Sequence, residues 1–231
     1  MFEKLNTYKK FLDEGTYEGL AFVDESKSRY HSFLHCAEYL SKIQDKTVLE
    51  LGTARSYVDG KFPGCNLSDI KYWQPDKPFV WDWGAGLFGL MMKFCVPDIN
   101  HTTLDIIQAH LYRCKDMMDS FSFECNYVCS DSVTFLNTTK NKYSLIYIDT
   151  GDMWPIEPTI ELQLKEAEAI INNDMLLPGG LLLIDDVLNS TPRRLGRPDI
   201  ILGKSQKSLP YLLSNGFETV FEGYQYILKK S

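Results

Sequence analysis

Five times along this 231-residue chain, a short apolar run reaches a carboxylate at its end or just beyond it: Glu50, Asp105, Asp131, Asp149 and the pair Asp185–Asp186. Between these runs the apolar residues switch to helical spacing. Residues 27–43 place Tyr30, Phe33, Leu34, Ala37, Leu40 and Ile43 on one face, and residues 84–95, 107–120 and 158–172 read as further helices. Pro158 suits the first turn of the last of these, whose face carries Ile160, Leu164, Ala167 and Ile171. Strands at 46–51, 99–106, 124–129, 143–149 and 181–185, alternating with helices, predict a mostly parallel sheet covered on both sides. L-P-G-G (177–180) reads as the turn into the fifth strand.

The end of the chain has another pattern. A short helix at 208–215 stops at Gly216, and F-E-T-V-F-E-G-Y-Q-Y-I-L-K-K then reads as two strands turning near Gly223. The expected outline is five βα units closed by an antiparallel hairpin. It forms one domain over 1–231, with an N-terminal helical cap at about 1–44 and an insertion at about 56–83. With 44% apolar residues, a chain of this length buries a sizeable core.

In such sheets ligands bind outside the carboxyl ends of the strands, where these acids lie, and an acid ending the second strand suits ribose hydroxyls. The first strand leads into T-V-L-E-L-G-T-A-R-S-Y-V-D-G (47–60), which opens like a cofactor loop but has a single glycine, Gly52, before the polar stretch. Asp105 follows Gly52 by 53 residues, whereas a dinucleotide fingerprint places its ribose acid about 20 beyond the loop. Without 56–83, E-L-G-T-A-R would join G-A-G-L-F-G at the start of a helix. The expectation is a cofactor loop split by an insertion, with Gly84 and Gly86 providing the close backbone approach.

These residues resemble the motifs of class I S-adenosylmethionine-dependent methyltransferases. V-L-E-L-G-T-A-R-S is similar to the E-[IL]-G-x-A-R-G-G-S form of the rhamnosyl O-methyltransferase and cephalosporin-hydroxylase-like group. L-D-I (104–106) resembles the second motif, S-D-S (130–132) the adenine-contacting one, and Y-I-D-T-G-D with G-G-L-L-L-I-D-D the fourth and fifth strands. The resemblance spans about 45–230, with Arg55-Ser56-Tyr57 in place of the usual glycine pair. It implies an α/β, Rossmann-like, doubly wound, mostly parallel seven-stranded sheet with a C-terminal antiparallel hairpin. It also implies S-adenosyl-L-methionine as cofactor. Glu50 and Gly52 would lie near its methionine part, Asp105 at the ribose, and Asp131 and Ser132 at the adenine, with Thr53, Ala54, Gly84, Gly86 and Ile106 as further expected cofactor-binding residues.

Asp149, Asp152, Asp185, Asp186 and Asn189 gather hard oxygens after the fourth and fifth strands, which suits Mg²⁺ or Ca²⁺ better than zinc. By resemblance to metal-dependent sugar O-methyltransferases, Asp149, Asp185 and Asp186 would be the Mg²⁺ ligands. Asp152 stands where those enzymes carry a histidine and is the expected general base. The expected reaction is O-methylation of a small-molecule or glycan hydroxyl assisted by a divalent metal. A non-catalytic binding protein on the same fold is the alternative. A dehydrogenase is disfavoured by the lack of a complete G-x-G-x-x-G and of a second domain.

Formal net charge of -7 and a pI of about 5.1 argue against nucleic acid as a partner. The sequence shows no signal peptide and no apolar run long enough for a bilayer, so no membrane contact and a cytoplasmic location are expected. Its six cysteines form no C-x-x-C pair and read as free thiols. A homo-oligomer is compatible with the sequence. His31 and His35 share a helix face without a third zinc ligand. Trp73, Trp81, Trp83 and Trp154 fall in expected loops near the site. The basic stretch at 187–207, with Arg193, Arg194, Arg197, Lys204 and Lys207, reads either as a solvated loop or as a lid over an anionic substrate.

Overall fold

Strand polarity and order decide where this chain can hold a ligand. The computed structural model describes residues 2, 3, 5, 6, 14–17, 20–23, 28–53, 87–153, 155–188 and 196–230. Ala54, Arg55–Tyr57, Gly84, Gly86, the expected insertion, Trp73, Trp81, Trp83, Trp154, Asn189, Arg193 and Arg194 lie outside these residues. The elements are, in order, β1 (Glu14–Tyr17), β2 (Leu20–Val23), α1 (Tyr30–Lys42), β3 (Thr47–Leu51), α2 (Phe88–Cys95), β4 (Asn100–Asp105), α3 (Gln108–Ser120) and β5 (Asn126–Cys129). There follow α4 (Ser132–Thr138), β6 (Tyr143–Ile148), α5 (Ile156–Asn172), β7 (Leu176–Ile184), a 3₁₀ turn at Gly203–Ser205, α6 (Ser208–Ser214), β8 (Phe217–Glu222) and β9 (Tyr226–Lys230).

Seven strands form one sheet in the order β5-β4-β3-β6-β7-β9-β8. The pairs from β5 to β7 are parallel, and β9 is antiparallel to both β7 and β8. The chain steps outward from β3 to β4 and β5, then returns to place β6 on the other side of β3. That reversal makes the β3–β6 boundary the topological switch point, where a crevice opens above the strand ends.

Alternation along β3 gives each face its own core. Val48 packs with Phe33, Phe88 and Tyr147 on the α1–α2 side, whereas Leu49 and Leu51 pack with Ile146, Ile148, Leu182 and Ile184 on the other. All six residues of β6 are buried, as a strand covered on both faces requires. Phe88 lies at the centre of the first core, with its ring centroid 4.5 Å from that of Tyr147 and 5.3 Å from that of Phe33.

Three expectations change. Residues 1–44 are not only helical, since β1 and β2 form an antiparallel hairpin ahead of α1. L-P-G-G is not the turn before β7 but part of the strand. Tyr143 pairs with Leu176 and Leu145 with Leu181, so five positions along β7 match two along β6 and the excess bulges outward. The short helix α4 is additional, and its cue was Asp131, whose carboxylate caps the Thr134 amide at 2.8 Å.

Phe88→Ala should lower unfolding free energy by about 3–5 kcal/mol in urea denaturation, the cost of emptying a fully packed aromatic site. Leu213→Ala, at a position 43% exposed, should change it by less than about 0.5 kcal/mol.

Candidate active site

The strand ladder continues one step past the strands and so aligns their terminal residues. The Gly52 amide donates to the Leu104 carbonyl at 2.9 Å, Asp149 to Leu51 at 2.8 Å, and Asp185 to Ile148 at 3.0 Å. Gly52, Asp149 and Asp185 are thereby set side by side at the carboxyl edge. Gly52 has φ +86°, and a Cβ there would lie 2.4 Å from the Asp149 carbonyl oxygen. Only glycine lets these two strand ends approach so closely.

Above this edge lies a cavity of about 220 Å³, with Gly52, Thr53, Asp105, Ile106, His110 and Asp131 among the lining residues. Ser132, Asp149, Thr150, Gly151 and Asp152 complete its far wall. Asp105 is held from three sides. Its Oδ1 accepts from the Ile107 amide at 2.7 Å and lies 3.2 Å from His110 Nδ1, and its Oδ2 accepts from the Thr53 amide at 3.3 Å. Burial opposes the charge, but His110 and the two amides outweigh it and hold the carboxyl below the usual range. Ile106 and Ile107 stand 68% and 48% exposed at the rim, an apolar surface on a wall otherwise rich in carboxylates.

Of the expected cofactor residues, Gly52, Thr53, Asp105, Ile106, Asp131 and Ser132 all border this cavity. Glu50 does not. It points into the first core, where its Oε2 lies 3.1 Å from Nε2 of the fully buried His101. Burial alone would lower the His101 imidazole, yet Cys125 and Glu50 beside it raise it to about 10. Ser132 borders the cavity but donates its hydroxyl downward to Glu166, which also accepts from Thr150 Oγ1 at 2.7 Å.

The three acids expected as metal ligands, Asp149, Asp185 and Asp186, do converge, with oxygens within 4.8 Å of one another. Two buried cations lie among them. Arg29, just before α1, grips Asp185 with Nε at 3.0 Å from Oδ1 and a terminal nitrogen at 2.7 Å from Oδ2. Lys204 Nζ lies 3.1 Å from Asp149 Oδ1 and 2.7 Å from Asp186 Oδ2. Gln225, in the turn between β8 and β9, donates to Asp185 at 2.7 Å and to the Tyr147 hydroxyl at 3.1 Å, while accepting from Ser32. Tyr147 donates to Asp149 Oδ2 at 3.2 Å and Tyr224 to Asp186.

With all three carboxyls ionised, the described residues of the cluster would carry one negative charge more than Arg29 and Lys204 balance. Burial and then Asp185 push the Asp149 carboxyl well above its ordinary value, against the pull of Lys204 and Arg29. For Asp186 the balance reverses. Burial opposes its charge, but Lys204 and Arg29 outweigh it, so that this carboxyl is held low. Lys204 is held firmly protonated, since Asp186, Asp149 and Asp185 overcome the cost of burying it. A dication using these oxygens would have to displace Lys204, so the donor set as folded does not fit one.

Lys204 belongs to the basic stretch that the sequence leaves open as a solvated loop or a lid, and it is neither exposed nor at the cavity mouth. It is 1% exposed. The other described basic residues of that stretch pair with acids, Arg197 with Glu157 of α5 and with Asp199 two residues on, and Lys207 with Glu161 of α5. Arg29 and Gln225 carried no local signal, because they meet Asp185 across 156 and 40 residues. Asp152 is exposed on the cavity wall. His31 is exposed and packs edge-on against Tyr30, far in role from a zinc ligand. The described cysteines, Cys36, Cys95, Cys114, Cys125 and Cys129, are free thiols.

No family model matches the chain, and no curated protein does. Solved structures do match. A candidate caffeoyl-CoA O-methyltransferase from Staphylococcus aureus superposes with a TM-score of 0.57 at 16% identity, covering 100% of this chain and 92% of that one. The fold is that of the class I methyltransferases. Cofactor-bound Rv0187 from MTB matches at TM-score 0.57 and 14% identity over 87% of this chain and 79% of its own. An S-adenosylmethionine-dependent methyltransferase from Clostridium acetobutylicum matches at 0.52 and 14%, over 87% and 90%. The described residues include no helix long and apolar enough to cross a membrane.

Glu166 generates a pH test. Its carboxyl is raised from 4.5 to about 7, chiefly by burial, despite hydrogen bonds from Ser132 and Thr150. Between these values the unfolded chain has released a proton that the folded one retains. Stability should therefore fall as pH rises from about 4.5 to about 7, by on the order of 3 kcal/mol for this group, and level off above. Glu166→Gln should remove that component from urea-denaturation profiles; an identical pH slope in the variant would contradict the assignment.

Proposed function

We propose that the chain is an S-adenosylmethionine-dependent methyltransferase acting on a hydroxyl of a small molecule or glycan. The observation that carries this reading is Asp105, held charged at the end of β4 and facing the switch-point cavity. A fixed carboxylate beside the close backbone turn at Gly52 suits a ribose whose two hydroxyls donate to it. Ile106 and Ile107 offer the adenine an apolar face, and Asp131 also lines the cavity. The methyltransferase names of the structures similar to this chain, one of them with a cofactor bound, support the same reading.

The chemistry is displacement at a methyl carbon. S-adenosylmethionine, when bound by Gly52, Thr53, Asp105 and Asp131, would supply an electrophilic methyl group with a good leaving group behind it. The protein positions the acceptor hydroxyl in line with that methyl group and takes the hydroxyl proton. Asp152, exposed on the cavity wall, is our candidate for that proton acceptor. Asp149 is the neighbouring carboxylate on the same wall and is anchored by Lys204 and Tyr147. Mg²⁺ assistance, expected by resemblance, is given no step, because Lys204 engages the oxygens it would need.

Calorimetric titration with S-adenosylhomocysteine tests the proposal. The wild type should bind it, and Asp105→Asn should weaken binding roughly 10- to 100-fold, the worth of charge-assisted hydrogen bonds. Folded protein that takes up no ligand, or Asp105→Asn with unchanged affinity, would remove the basis for the reading.

A further inference from the structure

The path of the backbone around Lys204 is unusual. Asp186 adopts φ +56°, a left-handed conformation rare for a residue with a side chain. Gly203 adopts φ +51°, and a Cβ there would lie 1.9 Å from the Asp186 carbonyl oxygen. The two left-handed positions face one another, and the second immediately precedes Lys204. They press the 3₁₀ turn at Gly203–Ser205 against the end of β7, and the turn is pinned again where Ser205 donates to Gln163 at 3.0 Å. Nothing in the turn itself needs this approach. Its result is to bring a fully buried ammonium between Asp149 and Asp186.

Both sides of that placement are completed. Asp186 also accepts from Tyr224, Asp149 from Tyr147, and Asp185 from Arg29 and Gln225. The arrangement is thus a satisfied network with a cation at its centre. Buried charges are tolerated only when paired and hydrogen-bonded, and this set meets that condition with the chain's own atoms.

We propose that Lys204 is the resident cation of this site, standing where three converging carboxylates would otherwise hold a dication, so that the site works without a bound metal. The functional meaning rests on the methyl-transfer reading, in which Asp149 faces the reacting groups. The assignment of the cation does not. Lys204 then acts as a positioning residue: it fixes the Asp149 carboxylate from below while its own ammonium stays out of the cavity.

The test counts Mn²⁺ bound to the full chain by the loss of the free-ion electron paramagnetic resonance signal. Only uptake abolished by adding Asp149→Asn is scored. Wild type should show none, and Lys204→Ala should take up one ion per chain, with a higher melting temperature in Mn²⁺ than without. If Lys204→Ala does not fold alone, Lys204→Ala with Asp186→Asn keeps the net charge of the wild-type cluster, leaves Asp149 as the carboxylate freed of its cation, and is read instead. Scored uptake by wild type would overturn the proposal, as would its absence from the lysine-free variants. S-adenosylhomocysteine titration of wild type, run in parallel, separates the two readings. Failure of that binding with Mn²⁺ gained by the variant would refute methyl transfer and leave the cation assignment standing.

Discussion

Repulsion among three carboxylates at the ends of two neighbouring strands is the constraint around which the site is built. β6 and β7 are parallel and adjacent, so their ends emerge together, and an Asp immediately follows each. Left alone in a buried corner, these charges would repel and be poorly solvated. The fold answers with two cations from distant segments, three side-chain hydrogen-bond donors, and the left-handed turn that carries Lys204 inward. The surroundings of the acids follow from this requirement. Arg29 fixes the start of α1, Gln225 the turn of the terminal hairpin, and Lys204 the connection from β7 to α6.

The same edge divides into two regions of different character. On the β4–β5 side, Asp105 is steadied by His110 and two backbone amides and borders the cavity. On the β6–β7 side, the acids are consumed by internal partners, and Asp149 and Asp152 are the ones that border the cavity. A ligand entering at the switch point meets a prepared hydrogen-bond acceptor on one side and an anchored carboxylate on the other. Such asymmetry suits a reaction with a bound cofactor and a separately bound acceptor.

The strand–helix alternation and the closing hairpin were legible because hydrophobic periodicity is local. So were Asp105, Asp149, Asp185 and Asp186, which advertise themselves as acids ending apolar runs. Glu50 had the same signature and a different fate. Its alternation with Leu49 and Leu51 points it into the α1–α2 core, where a buried histidine on β4 receives it, and no local pattern announces that partner. Lys204 was misplaced for the same reason. A lysine in a run of basic residues looks solvated, and only the positive-φ glycine before it hints that the backbone turns inward. The L-P-G-G bulge shows the converse error, since turn-forming residues sit within a strand when its neighbour lets the excess loop out.

Sequence separation gives the acidic cluster one more property. Arg29 meets Asp185 across 156 residues, and Ser32 meets Gln225 across 193. The carboxylates of β6 and β7 are therefore synthesised before the turn that brings Lys204 and before the hairpin that brings Gln225. A nascent chain emerging N-terminus first holds the acids without their full set of partners until the β8–β9 turn has been made. Docking of the hairpin then completes the network, and α1 is latched to the β8–β9 turn through the centre of the site.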